Sequence, residues 1–274
     1  MKLQLNDADL WYEVRGAGAP LVVLPGGPGF AHDYLRPHLD PLGTIVTTVW
    51  LDLAGTGRSS LAGGVETISH ERWISDLEAL RVHLELENWI VFGHSYGGFV
   101  ALDYALAHPA SVTALVLCAS APSGAHLATL FDRMPPEMTS ADRELLEAIF
   151  GGQVPDDEMD AGVQTAVQFF FVSDPSPDVP GSFHLQPDTF RHVFETCLPE
   201  LAIEDRLVEV AVPTLVVAGD GDWQVPEDVT MRLVTGIPGA EMAIITGAGH
   251  YPFIDDSYRF VTVVTEWLRH AALS

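Results

Sequence analysis

The sequence predicts an α/β fold, a mostly parallel eight-stranded sheet flanked by helices, with a mainly helical segment inserted late in the chain. Three observations predict it. Short β-branched and apolar runs alternate with segments whose apolar residues recur every three or four positions, as a doubly wound sheet requires. One strand-to-helix junction carries Gly93-His94-Ser95-Tyr96-Gly97. The stretch 122–207, between the sixth and seventh expected strands, is far longer than an ordinary connection.

Strands are expected at about 3–5, 11–14, 21–24, 45–51, 89–92, 113–118, 214–218 and 242–245, where β-branched and apolar residues run together. Between the fourth and fifth, Trp73, Leu77, Leu80 and Leu84 mark one face of a helix. A closing helix over about 258–271 sets Phe260, Val264, Trp267 and Ala271 on one stripe. Both stripes are core signals. The expected organisation is a core formed by 1–121 and 208–274, with 122–207 as a helical cap over the site. That cap combines a helical pattern at 140–150 with the Pro-rich break Asp174-Pro175-Ser176-Pro177-Asp178-Val179-Pro180. Its phenylalanines, including Phe169, Phe170, Phe190 and Phe194, fill the cap core or line a pocket.

The chemistry centres on Ser95. It follows the apolar run Trp89-Ile90-Val91-Phe92 and opens a helix-compatible stretch. A serine on so sharp a turn is held in a strained conformation with its hydroxyl at the sheet edge, and glycines two before and two after leave room for the crossing. A hydroxyl is a poor nucleophile near neutral pH, so this arrangement demands a histidine base and an orienting carboxylate, in the chain order Ser, Asp, His. Two acids compete where the seventh strand ends, Asp220 and Asp222. The pattern G-x-x-D-x-x-x-P, met by Gly219, Asp222 and Pro226, favours Asp222 and leaves Asp220 as a turn-forming residue. The base is His250, which follows the last strand in the loop Gly247-Ala248-Gly249. Among 11 histidines it alone sits directly after a late strand. His94 reads as a packed supporting residue, and the others, His32 and His70 among them, as solvated or capping residues.

The loop Pro25-Gly26-Gly27-Pro28-Gly29 leaves backbone N–H groups unshielded. One from Gly27, or alternatively Gly26, and one from Tyr96 would form an oxyanion hole. It is not a phosphate loop, since no Lys-Ser/Thr pair follows and the dinucleotide spacing of glycines is missing.

At these motifs the chain resembles the α/β-hydrolase superfamily, and within it the proline iminopeptidase (prolyl aminopeptidase) branch. The resemblance covers nearly the whole length outside about 125–205. It rests on Gly26-Gly27-Pro28-Gly29, on Asp52-Leu53-Ala54-Gly55-Thr56-Gly57-Arg58-Ser59, similar to that branch's D-x-x-G-x-G-x-S loop, on Gly93 to Gly98 with an aromatic after the serine, and on Asp222 and His250. Pro25 stands where the branch's H-G-G-P-G carries His, and the residue before the serine differs from its commonest version. The resemblance implies an α/β-hydrolase fold and a serine hydrolase that acts through an acyl-enzyme on a small amide or a short peptide with an apolar N-terminal residue. Carboxylesterases and lactonases share the scaffold and form the alternative; a catalytically silent ligand receptor is a third reading. A serine at this position argues against haloalkane dehalogenases and epoxide hydrolases, which use aspartate. The resemblance also implies cap carboxylates that pair with a substrate amine, and Glu195, Glu200 and Glu204 are the candidates.

Composition bounds the rest. A chain of 274 residues, 47% hydrophobic, can bury one large core. No uninterrupted apolar run is long enough to span a membrane, and residues 1–7 lack the regions of a signal peptide, so a cytoplasmic protein is expected. Cys118 and Cys197 show no sign of pairing. No Cys/His cluster has metal-ligand spacing, and no cofactor or metal is expected. A formal net charge of −25, from 38 acidic and 13 basic residues, repels nucleic acid and anionic membranes and favours cationic substrates. The expected partner is a small-molecule or short-peptide substrate; the oligomeric state stays open.

Overall fold

Apolar runs become strands wherever both their faces are covered. The structure, a computed structural model, describes residues 1–5, 7–173 and 175–273, so that of the expected Pro-rich break only Asp174 lies outside it. The strands are β1 (Lys2–Gln4), β2 (Ala8–Gly16), β3 (Ala19–Leu24), β4 (Val46–Leu51), β5 (Ser60–Leu61), β6 (Trp89–His94), β7 (Val112–Cys118), β8 (Thr214–Gly219) and β9 (Glu241–Ile245). The eight expected strands are all present. β5 is additional, a two-residue strand paired antiparallel to β2, too short to leave a periodic signal.

The sheet order is β1-β2-β4-β3-β6-β7-β8-β9. β1 and β2 are antiparallel, and from β4 onward every pair is parallel. β6 and β8 are buried along their whole length, which explains why they read as continuous apolar runs rather than alternating ones. The chain leaves β3 toward β4 on one side and returns to β6 on the other. The β3/β6 border is therefore the point where strand order reverses, the place where an open parallel sheet parts its loops into a crevice.

The helices are α1 (Arg36–Leu39), α2 (His70–His83), α3 (Tyr96–Ala107), α4 (Ser140–Phe150), α5 (Asp156–Ala166), α6 (Pro187–His192), α7 (Glu227–Gly236), α8 (Pro252–Asp255) and α9 (Ser257–Ala271). α2 begins where the Ser69 hydroxyl accepts a bond from the Arg72 amide. It buries Trp73, Leu77 and Leu80 on one sheet face together with α3 and α7. The opposite face is covered by α9, through Phe260, Val264 and Trp267, and the apolar cluster on that side continues into the inserted segment through Leu146, Ile149, Met159 and Val163. α4 coincides with the helix expected there and opens on a capping box between Thr139 and Asp142. Among the described residues no helix is long and apolar enough to cross a membrane.

The insertion between β7 and β8 carries α4, α5 and α6. It is tied to the loops at the C-terminal ends of the strands: Ala31 N–H donates to the His184 carbonyl (3.0 Å), the Thr189 hydroxyl to the Gly55 carbonyl (2.6 Å), and His250 N–H to the Phe170 carbonyl (2.8 Å). These bonds seat the insertion over the crevice that the strand order creates.

Gly97, in the first turn of α3, lies against backbone, and an added Cβ there would fall inside the contact distance of the Leu24 and Pro25 carbonyl oxygens. Gly97→Ala is expected to cost about 3 kcal/mol or more, because the obstacle is backbone that cannot move aside. Gly239, at φ 73° with nothing near its Cβ position, is the control. Its alanine variant should lose only about 1 kcal/mol of backbone strain. Urea unfolding of both variants measures the contrast, and equal losses would contradict the packing argument.

Candidate active site

Ser95 lies between β6 and α3 at φ 51°, ψ −118°, a left-handed conformation unusual for any residue other than glycine. Two bonds hold it there. Its N–H donates to the Cys118 carbonyl (2.8 Å), continuing the β6–β7 ladder by one residue, and its carbonyl accepts from the Ser120 hydroxyl (2.9 Å). The half-buried side chain stands at the crevice with its Oγ 2.9 Å from His250 Nε2.

His250 follows β9, and Asp222 follows β8. His250 Nδ1 lies 2.8 Å from Asp222 Oδ2. A carboxylate can only accept, so Nδ1 carries the proton and Nε2 of the neutral ring is left to accept from the Ser95 hydroxyl. The other Asp222 oxygen accepts from the Gln224 and Val225 amides (2.9 and 3.1 Å), which fixes the carboxylate plane. Asp222 and His250 are 4% and 3% exposed, so this chain of bonds is shielded from water. Asp220, the competing acid, is exposed and accepts from the Gly247 amide (2.7 Å), a turn bond away from the histidine ring.

A second chain of bonds ties the glycine loop to His250. Gly26 N–H donates to the Tyr34 oxygen (2.7 Å), Tyr34 is 2.8 Å from His94 Nδ1, and His94 Nε2 is 2.9 Å from the His250 carbonyl. The carbonyl only accepts, so His94 Nε2 bears hydrogen and Nδ1 accepts from the Tyr34 hydroxyl. Burial, reinforced by the neighbouring His250, holds the His94 pKa well below the ordinary histidine value, and the ring stays neutral. Because the Gly26 amide is already engaged, it drops out as an oxyanion donor. No described residue engages the amides of Gly27 or Tyr96.

Two histidines that read as solvated or capping residues turn out to be structural, a correction that needs long-range contacts to see. His32 is fully buried, its Nδ1 2.7 Å from Asp52 and its ring stacked on Trp11 at 4.6 Å. Burial alone would raise the Asp52 pKa, but bonds from His32 and from the Arg58 amide outweigh it and bring the pKa below the usual value. This pair organises the Asp52–Ser59 loop, whose Ser59 hydroxyl donates back to the Asp52 carbonyl (2.6 Å). His70 opens α2, its Nδ1 2.5 Å from Asp103 and its Nε2 2.7 Å from the Tyr96 hydroxyl. Burial pushes the Tyr96 pKa well up, so the phenol keeps its proton and donates it to His70, pinning the ring that follows Ser95.

The cavity in front of Ser95 measures about 70 Å³. Phe30, Phe99, Ile149, Phe170, Phe190 and Val225 form much of its apolar wall; Ser120 and Gln224 add polar groups, and no Asp, Glu, Lys or Arg is among its described lining residues. The glutamates expected to pair with a substrate amine are therefore elsewhere. Glu195 and Glu200 are exposed, Glu200 at the rim of a separate polar depression beside His70 and Asp103. Glu204 pairs with Arg232 (3.2 Å) and approaches His126 (4.0 Å). The segment that carries them turns Phe190 and Phe194 toward the cavity, and the acids face the other way.

Neutral His94 makes a testable pH signature. The unfolded chain binds a proton at His94 below pH about 6.5 and the folded protein does not, so stability must fall as pH drops through that value, by up to ~1.4 kcal/mol per unit for this one group. In His94→Gln this component is missing, and urea unfolding between pH 7.5 and 5 should show a shallower decline than wild type. Parallel profiles would mean that folded His94 takes up a proton as readily as the unfolded chain.

Residues 19–257 match the family model described as alpha/beta hydrolase fold. The "Proline iminopeptidase" of Clostridioides difficile is 26% identical over 263 residues, spanning 91% of this chain and 89% of that one. The "Probable proline iminopeptidase" of Streptomyces coelicolor is 30% identical over 276 residues, spanning 85% and 83%. An alpha/beta fold family hydrolase from Bacillus anthracis superposes with a TM-score of 0.83 at 21% identity, covering 98% of each chain, a likeness of fold. With strand order, reversed switch point and family match in agreement, the chain belongs to the α/β-hydrolase family, in its proline iminopeptidase-like branch.

Proposed function

We propose that this hydrolase works through an acyl-enzyme on small, uncharged, apolar acyl substrates, with esters foremost. Ser95 Oγ attacks the carbonyl carbon as His250 Nε2 takes its proton, and Asp222 stabilises the imidazolium. The amides of Gly27 and Tyr96, the latter at the positive end of α3, receive the developing oxyanion. His250 then gives the proton to the departing alcohol, and water enters by the same steps in reverse to release the acid. Residues 122–207 act as a cap that keeps bulk water from this chemistry.

The observation that carries the substrate class is the absence of any carboxylate among the described residues of the cavity wall. A prolyl substrate presents a cationic nitrogen, and taking a cation out of water without a counter-charge costs several kcal/mol. The Gln224 amide offers a dipole but no charge. Removal of an N-terminal proline is the second reading, supported by the names of the sequence relatives.

Two pairs of measurements test these assignments. Ser95→Ala should abolish turnover with the fold intact, and Asp222→Asn should lower kcat about 10⁴-fold. Asp220→Asn, a surface change, should alter it no more than about twofold. Reversed ranking of the two aspartates would reassign the acid. Pro-p-nitroanilide and cyclopentanecarboxylic acid p-nitroanilide share ring size and leaving group and differ in the charged nitrogen. kcat/KM should favour the uncharged compound by at least about 100-fold. A preference for the prolyl compound would overturn the uncharged-acyl assignment in favour of the second reading.

A further inference from the structure

A void of about 70 Å³ is small beside the roughly 300–1,000 Å³ that ligand sites usually offer. Next to it lies a second cavity of about 410 Å³. Phe150 and Phe194 are the two described residues that line both. The remaining described wall of the second cavity, Leu130, Phe131, Leu198 and Pro199 with Gly124 and Ala125, carries no charge and no polar side-chain atom. Such side chains suit a hydrocarbon chain.

The partition between the cavities is a row of rings. Phe190 and Phe194 have centroids 4.5 Å apart, Phe194 and Phe150 5.5 Å, and Phe150 and Phe131 6.0 Å. The row runs from the wall of the Ser95 cavity to Phe131, which is 39% exposed. Neither Phe150 nor Phe194 is fully buried. Both sit where helical order breaks. Phe150 is the last residue of α4, and Phe194 lies in a π-helical turn, Val193–Cys197, a rare conformation that recurs at functional positions.

We propose that Phe150 and Phe194 form an aromatic gate, and that the second cavity receives the distal hydrocarbon of a medium-length acyl chain whose carbonyl is held at Ser95. The inference rests on the acyl-hydrolase reading and specifies its substrate: a neutral ester with a straight chain of about eight carbons, for which the two cavities together reach ordinary ligand volume. Each methylene moved from water into the second cavity strengthens binding by about fourfold, and part of that gain is spent in turning the rings aside.

The test compares p-nitrophenyl acetate, butyrate and octanoate. Ala125 is exposed and lines the second cavity without lining the first, so Ala125→Trp fills the proposed subsite away from the reacting atoms. It should lower kcat/KM for octanoate at least about tenfold and leave acetate within about twofold. Phe194→Ala, which removes half of the gate, should raise the octanoate-to-acetate ratio at least about tenfold. An octanoate-to-acetate ratio unchanged in both variants would overturn the gate. If no variant hydrolyses any ester, the acyl-hydrolase reading fails by itself. The gate is then decided by titrating Ser95→Ala protein with 2-butanone and 2-octanone. Tighter binding of 2-octanone that Ala125→Trp abolishes supports the gate, whereas equal binding of the two ketones, or no effect of Ala125→Trp, refutes it.

Discussion

The left-handed turn at Ser95 is the constraint on which the rest of the site depends. A non-glycine residue keeps φ 51° only when its surroundings allow nothing else. Here β6 delivers the chain to the sheet edge in register with β3 and β7, and α3 starts against the end of β3 so closely that position 97 has no room for a side chain. One compression has three results. It points the hydroxyl into the crevice, presents the first amides of α3 to the same space, and brings the glycine loop after β3 alongside. The strain is stored in backbone packing, so it does not require the hydroxyl itself.

Around that turn run two chains of bonds, one through the proposed reacting groups and one that supports them. Asp222, His250 and Ser95 form one. Gly26, Tyr34, His94 and the His250 carbonyl form the other, and it links the loop that flanks the proposed oxyanion position to the backbone of the base. The second works because His94 is buried and neutral: a protonated ring could not accept from Tyr34. The insertion joins the same framework. Its Phe170 carbonyl holds the His250 amide, and its Phe169 carbonyl accepts from the Trp223 indole at 2.8 Å. The segment that shapes the cavity thus also holds the loops that bear Asp222 and His250, so changes within it should be felt at both.

The large acidic excess and the uncharged cavity belong to different parts of the molecule. With 38 acidic residues and 13 basic ones, the surface has a strong negative field. Yet no acid is among the described residues of the wall around Ser95, and Glu204 of the insertion is paired with Arg232. The net charge thus lies on the outer surface, whereas the described wall around Ser95 is mostly aromatic and aliphatic.

The sequence by itself determined the places of eight strands along the chain, the extents of α4 and α9, the serine on its turn, and Asp222 rather than Asp220 beside His250. Those features are written in short-range patterns: runs of apolar residues, periods of three and four, glycines at set offsets from a serine or an aspartate. The tertiary structure alone decided what depends on residues distant along the chain. His32 is a buried partner of Asp52 and His70 a support for Tyr96 because separate elements meet there, and no local period marks either pairing. The same holds for β5, whose two residues are a strand only because β2 lies beside them. The direction of Glu195, Glu200 and Glu204 is likewise invisible locally, since it depends on which side of the segment packs against the cavity, and that side carries Phe190 and Phe194. Composition and motif establish which groups exist, and packing determines which of them share a cavity, because burial and facing are properties of pairs of elements rather than of any one stretch of chain.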